Sequence, residues 1–252
     1  MIDYPDLMTK AERLRKQLGE DNSSPVDIFS MAQRIEKLTI VYYPMGSTLS
    51  GMCVKGSDGK RTIALNSAMT LGRQHFSLAH EFYHLFYDDN MRAVCAKTIG
   101  NGSDIEKNAD AFAAYFLMPR AALEDTVDRL RRNSSNKKLN LQDIIRIEQY
   151  FGVSHQTAVY QLHNCGYINS EDMNVLLKTG VRKQAEAMGF SSDLYRPLPE
   201  EKQYGTYGYY IDQAEQLLKN GTVSEGKYEE LLLDAFRDDI VYGIEESGEI
   251  ID

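Results

Sequence analysis

Apolar residues recur at three- and four-residue intervals along much of this chain, and in three short stretches they cluster without that period. Leu7, Ala11, Leu14 and Leu18 share one helical face that stops near Gly19. Ile28, Met31, Ala32 and Ile35 form a second. Ser24-Pro25 ahead of them, a cap residue followed by proline at the first helical position, predicts that this helix starts there. Ile40-Val41-Tyr42-Tyr43 is β-branched and aromatic and closes at Pro44, so it predicts a strand. Gly51-Met52-Cys53-Val54-Lys55 and Arg61-Thr62-Ile63-Ala64-Leu65 predict two more, joined as a hairpin through the glycine-containing run Gly56 to Lys60.

Helical periodicity then takes over. An apolar amphipathic stretch runs from Phe76 to Tyr87, and a second, rich in alanine, runs from Ser103 to Pro119. Residues 120–132 predict a helix ending in Arg129, Arg131 and Arg132, broken by the polar run Asn133 to Lys138. Leu141–Phe151 is amphipathic, Gly152-Val153 is a turn, and Ser154 caps a further helix to Asn164, a helix-turn-helix pattern. The fold class expected is α+β, in three parts. Residues 1–125 hold the small sheet and the chemistry, 126–168 form a helical, helix-turn-helix-like segment, and 169–252 form a mainly helical extension.

Charge singles out that extension. The chain carries a formal net charge of -9, yet residues 200–252 hold fourteen acids against Lys202, Lys219, Lys227 and Arg237, so the rest is close to neutral. Its apolar patterns (Ile211, Ala214, Leu217 and Leu218, then Tyr228, Leu231, Leu232, Ala235 and Phe236) predict that it folds. Tyr204, Tyr207, Tyr209 and Tyr210 are expected to cover a core. The extension is expected to dock on the chain's own first part or on a protein partner, and its acidity favours a basic one. Cys53, Cys95 and Cys165 lack paired spacing, which points to a reducing compartment. The start, Met1 to Asp6, is acidic and proline-broken rather than secretory, and no run of about 18 apolar residues could span a bilayer. A soluble cytoplasmic protein without membrane contact is expected.

His80-Glu81-Phe82-Tyr83-His84 is the stretch that specifies a reaction. On a helix its two histidines share a face, so both imidazoles reach one divalent metal, with Glu81 beside any water there. Zinc usually takes three protein ligands, and the scattered cysteines supply none. Glu106 and Asp110, four apart on the next helix, are the candidates. Glu106 is favoured as third metal ligand, with Asp110 orienting a histidine through its other ring nitrogen. The alternative makes Asp110 the ligand, because Ser103-x-x-Glu106 also reads as a capping box. Tyr83, Tyr87 and His75 lie nearby as donors to a transition-state oxyanion, with none preferred. The hairpin strand Gly51, Met52, Cys53 and Val54 is a candidate edge for pairing with an extended substrate.

Two motifs in order carry a family resemblance: Arg73-Gln74-His75-Phe76-Ser77-Leu78-Ala79-His80-Glu81-Phe82-Tyr83-His84, and Ile105-Glu106-Lys107-Asn108-Ala109-Asp110-Ala111-Phe112-Ala113-Ala114-Tyr115-Phe116-Leu117-Met118-Pro119. Over residues 25–165 the chain resembles the ImmA/IrrE metallo-endopeptidases. The resemblance implies a thermolysin-like Zn2+ site with His80, His84 and Glu106 as ligands and Glu81 as general base. It also implies a protein substrate such as a helix-turn-helix repressor. The chain departs from the family pattern at Tyr83 (usually glycine), Asn108 (glutamate) and Asp110 (asparagine). Tyr83 predicts a bulky ring beside the metal helix. The resemblance also allows DNA binding, but His155 to His163 contains no Lys or Arg to neutralise phosphates. That helix is therefore expected to brace the fold. The alternative function is a non-catalytic regulator that binds DNA or a partner.

Overall fold

The structure, a computed structural model, describes residues 2–46, 48–89, 92–96, 103–132 and 138–243, with the backbone alone for 92–96. The elements run α1 (Tyr4–Gln17), α2 (Ile28–Ala32), β1 (Leu38–Tyr43), β2 (Leu49–Lys55), β3 (Arg61–Asn66), α3 (Leu71–Tyr87), β4 (Arg92–Ala96), α4 (Asp104–Leu117), α5 (Arg120–Arg132), α6 (Leu141–Phe151), α7 (His155–Asn164), α8 (Ser170–Leu176), α9 (Val181–Ala187), β5 (Gly205–Gly208), α10 (Tyr209–Lys219), α11 (Glu225–Asp234) and α12 (Asp238–Tyr242). This is a mixed α+β fold with one five-stranded sheet in the order β4-β2-β3-β1-β5. The expected break at Asn133 to Lys138 lies, up to Lys137, outside the described residues.

The β2–β3 hairpin is antiparallel, and β3 lies parallel to β1 in the register Ile40↔Ile63. Ile40, Cys53, Ile63 and Leu65 point from the sheet into the core. β5 adds to the outer edge of β1, pairing Thr39 with Gly208 and Tyr42 with Gly205. The tyrosine-rich stretch is thus partly a strand, and the extension docks on the first part of the chain. Tyr207 packs edge-on against Tyr42 at 5.6 Å, under the Arg237 guanidinium.

The start of α2 differs from the expected one. Asp27 is its cap, accepting from the backbone N–H groups of Phe29 and Ser30. Ser24 instead closes a turn on the Asp21 carboxylate, and its carbonyl accepts from Arg15. Arg15 is fully buried and also donates to the carbonyls of Asp21 and Phe116, tying α1 to the end of α4.

α6 and α7 form over the expected residues. Gly152 closes α6 in the left-handed region at φ 65, and Ser154 caps α7. This turn presses against the start of α3. A Cβ on Gly72 would come within 2.8 Å of the Ser154 nitrogen, and the Gly152 carbonyl lies 2.6 Å from Nδ1 of His75. Three polar residues of α7 turn inward: His155, Thr157 and Gln161 are all buried. His155 and Tyr195 both bond the buried Glu148 carboxylate, at 2.6 and 2.7 Å. Among the described residues no helix is long and apolar enough to cross a membrane.

Candidate metal centre

α3 lies across β2 and β3 and packs most intimately against α4. Its apolar face, with Phe76, Leu78, Ala79, Phe82 and Leu85 buried, fixes the rotation of the helix. Because His80 and His84 are one turn apart, that rotation brings both rings to the α4 side. On α4, Ala109 and Ala113 are buried and small, which permits the close approach. Ser103 caps the backbone of Glu106, while the Glu106 carboxylate reaches the histidines.

His80 Nε2 and His84 Nε2 are 3.2 Å apart. Glu106 lies 3.3 Å from the first through Oε2 and 3.4 Å from the second through Oε1. A tetrahedral zinc ion with bonds of about 2.0–2.1 Å holds its ligand atoms about 3.3 Å apart. Each of these contacts is close to that separation, the two to Glu106 through different oxygens, and one ligand atom from each side chain lies within 4.8 Å of the others, so the three could hold a divalent ion. The other ring nitrogens are engaged: His80 Nδ1 with Asp110 at 2.9 Å and His84 Nδ1 with Asp88 at 2.8 Å. Each Nδ1–H donated to a carboxylate leaves the Nε2 lone pair for a metal.

The electrostatics favour positive charge at this point. Burial opposes a charge on His80, but the Asp110 and Glu106 carboxylates outweigh it and bring its pKa up to about 9. His84 is pushed down by burial, against the pull of Asp88, and by the neighbouring His80 charge. Glu106 is held below the usual carboxylate range by its bond to His80.

Glu81 is fully buried on the sheet side of α3, against Gly51. A Cβ on Gly51 would sit 2.9 Å from Glu81 Oε1 and 3.0 Å from the Ala64 carbonyl, although Gly51 has no left-handed φ. Glycine here serves close approach rather than backbone freedom. The Cys53 thiol, one strand step away, is pushed up to about 12 by burial and by the Glu81 charge, so it is no nucleophile.

Other candidates lie elsewhere. The Tyr83 ring turns into an aromatic cluster with Phe112 and Tyr87, meeting His84 only edge-on at 5.9 Å, and so buttresses that imidazole rather than crowding the metal position. The Tyr87 hydroxyl donates to the Lys10 carbonyl on α1. His75 is occupied by the Gly152 carbonyl and the Phe29 ring. Gly51, Met52, Cys53 and Val54 do not form an edge: β4 pairs with β2 there (Gly51↔Cys95, Val54↔Arg92), after a register shift between Leu49 and Gly51. The expectation of an open edge at β2 is therefore not met, because β2 already has a partner on each side.

Two contributors escape a reading by motif. Asp88, which orients His84, is signalled only by its four-residue spacing from that histidine. Lys55, at the end of β2, donates to the carbonyls of His84 and Asp88 and so holds the C-terminal end of α3.

Comparison with known proteins agrees with this geometry. No curated protein matches the chain. A family described as IrrE N-terminal-like domain, a metallopeptidase family, matches residues 36–163, from just before β1 to the last turn of α7. That stretch covers half the chain and contains both metal helices, and the protein belongs to the IrrE N-terminal-like peptidase family.

Proposed function

We propose that this protein is a zinc-dependent endopeptidase that hydrolyses a peptide bond in a protein substrate. The observation that carries the proposal is that His80, His84 and Glu106 each offer a ligand atom within 4.8 Å of the others, with a buried carboxylate, Glu81, next to His80 along the helix. Two imidazoles and one carboxylate suit zinc, and resemble the donor set of thermolysin-like sites. A bound Zn2+ supplies Lewis acidity toward water and the scissile carbonyl.

The chain's own residues do the rest. Glu81, next to His80 on α3, would take the proton of the attacking water and return it to the leaving amine. Its burial keeps the carboxylate unscreened, and Gly51 leaves the room in which it sits. Asp110 and Asp88 hold the two imidazoles in one tautomer and one orientation. The outer side of β4 is the sheet edge next to β2, where an extended peptide can add as a further strand.

The substrate we propose is a DNA-binding repressor, which would make the protein a cytoplasmic regulator of transcription. Two things support it: the family resemblance, and the acidic residues 200–252, which favour a basic partner. A role in reading DNA through α7 has less support, because His155, Thr157 and Gln161 face the interior.

The test is to incubate the zinc-loaded protein with a proteome-derived peptide library and map new N-termini. Cleavage by the wild type and none by Glu81→Gln, at equal zinc content, is the expected result. Equal cleavage by both overturns the mechanism.

A further inference from the structure

Gln161, on the inward face of α7, is 2% exposed, and its Nε2 has no hydrogen-bond partner among the described residues. Burying a donor in this way costs about 1–3 kcal/mol, so native structures rarely keep one without a purpose. The residue lines a cavity of about 430 Å3 between α4, α7 and the start of α1. That volume falls within the range of small-molecule sites. The cavity exists because α4 turns Ala111 and Ala114 toward α7, where larger residues would fill the gap.

The lining carries three kinds of chemistry. Lys107 and the Gln161 amide offer a cation and a donor to an anionic or carbonyl acceptor. Asp110 offers a carboxylate to a donor. Phe76 and Tyr115 supply aromatic surface. A molecule that uses all three has a carboxylate, an ammonium group and an apolar body, at the size of one or two residues.

We propose that this cavity binds a free apolar α-amino acid. Its carboxylate meets Gln161 and Lys107, its ammonium group meets Asp110, and its side chain lies against Phe76 and Tyr115. Asp110 also holds His80 at 2.9 Å, so the ligand and the metal share a wall. Two sites that share one carboxylate are coupled, and the coupling is reciprocal. The binding claim itself does not depend on peptidase activity.

The experiment is calorimetric titration of the full-length, zinc-loaded protein with L-leucine and L-phenylalanine. Their N-acetyl and carboxamide derivatives, each lacking one charge, serve as controls. Binding of the free amino acids is expected, weakened at least tenfold by either cap. Gln161→Met should weaken it to a similar degree and Ala114→Trp should abolish it, with zinc content unchanged in both variants. Absence of binding at millimolar concentrations overturns the proposal. So does binding that ignores the caps or survives Ala114→Trp. Equal affinities of the zinc-loaded and zinc-free protein overturn the coupling through Asp110.

Discussion

Replacing Gly51 by alanine puts a methyl group where the Glu81 carboxylate now lies. The new carbon would sit 2.9 Å from Oε1, against an ordinary contact beginning at 3.4 Å, so the carboxylate must retreat by about half an ångström. It cannot be spared by moving β2, because the same carbon meets the backbone oxygen of Ala64 at 3.0 Å. A misplacement of about 1 Å in a catalytic group costs roughly 10²-fold in rate, so half of that costs about tenfold, or ~1.4 kcal/mol in the transition state. Glu81 is not among the groups that could hold the metal, so zinc content should not change. The decisive comparison uses Glu81→Asp, which draws the carboxylate back by one methylene and vacates the contested space. In that background Gly51→Ala should cost nothing further, a coupling of ~1.4 kcal/mol in a double-mutant cycle. The assay is kcat/KM on a peptide from the library screen, with zinc stoichiometry and urea stability measured alongside. Wild-type turnover by Gly51→Ala, or the same tenfold loss in both backgrounds, would refute the reasoning.

Further outcomes can be checked independently. Asp88→Ala and Asp110→Ala should each weaken zinc binding about 10- to 100-fold in competition with a chromophoric chelator, since each frees an imidazole to rotate; unchanged affinity would remove them from the site. Arg15→Met should destabilise the fold by about 1–3 kcal/mol in urea, because the buried Phe116 carbonyl and two part-buried carbonyls lose their donor and α1 loses its tie to α4. Burial lowers the His155 pKa but Glu148 raises it further, so the net shift is upward from 6.5. Its folded value thus exceeds the unfolded one, and its contribution to stability is complete below about 6.5 and lost as pH rises through the folded value. The stability gap between wild type and His155→Gln should therefore narrow as pH rises above about 6.5; a constant gap would count against it. Removing residues 204–252 should lower Tm and solubility by stripping β5 from β1; equal Tm and solubility would show that the strand is dispensable.

Elements whose signals are local are the ones that can be read from sequence. The Leu7 to Leu18 stripe, the Gly56 to Lys60 hairpin loop and the Gly152 turn with its Ser154 cap each encode their geometry within a few residues. His80 and His84 belong to this class too, because helical spacing alone puts two imidazoles on one face; which of Glu106 and Asp110 meets them depends on how α4 packs against α3. β4 and β5 do not. Gly205–Gly208 has two glycines in four residues and little strand propensity; the open edge of β1, far away in sequence, makes it a strand. Tertiary context also moved the start of α2, where Asp21 and Arg15 claim Ser24 for a turn. The role of Gly51 depends on a carboxylate thirty residues later. No periodicity records that contact.

The pairing of β5 with β1 also sets a timetable for synthesis. Thr39 leaves the ribosome long before its partner Gly208 is made. At about 5–20 residues per second, the interval is roughly 10–30 s. Throughout it the outer edge of β1 offers unpaired backbone groups to any extended chain nearby. A nascent chain with an open strand edge is exposed both to aggregation and to occupation by its own unfolded segments. β5 therefore acts as a late clasp, and this sheet first exists only after Gly208 has been translated.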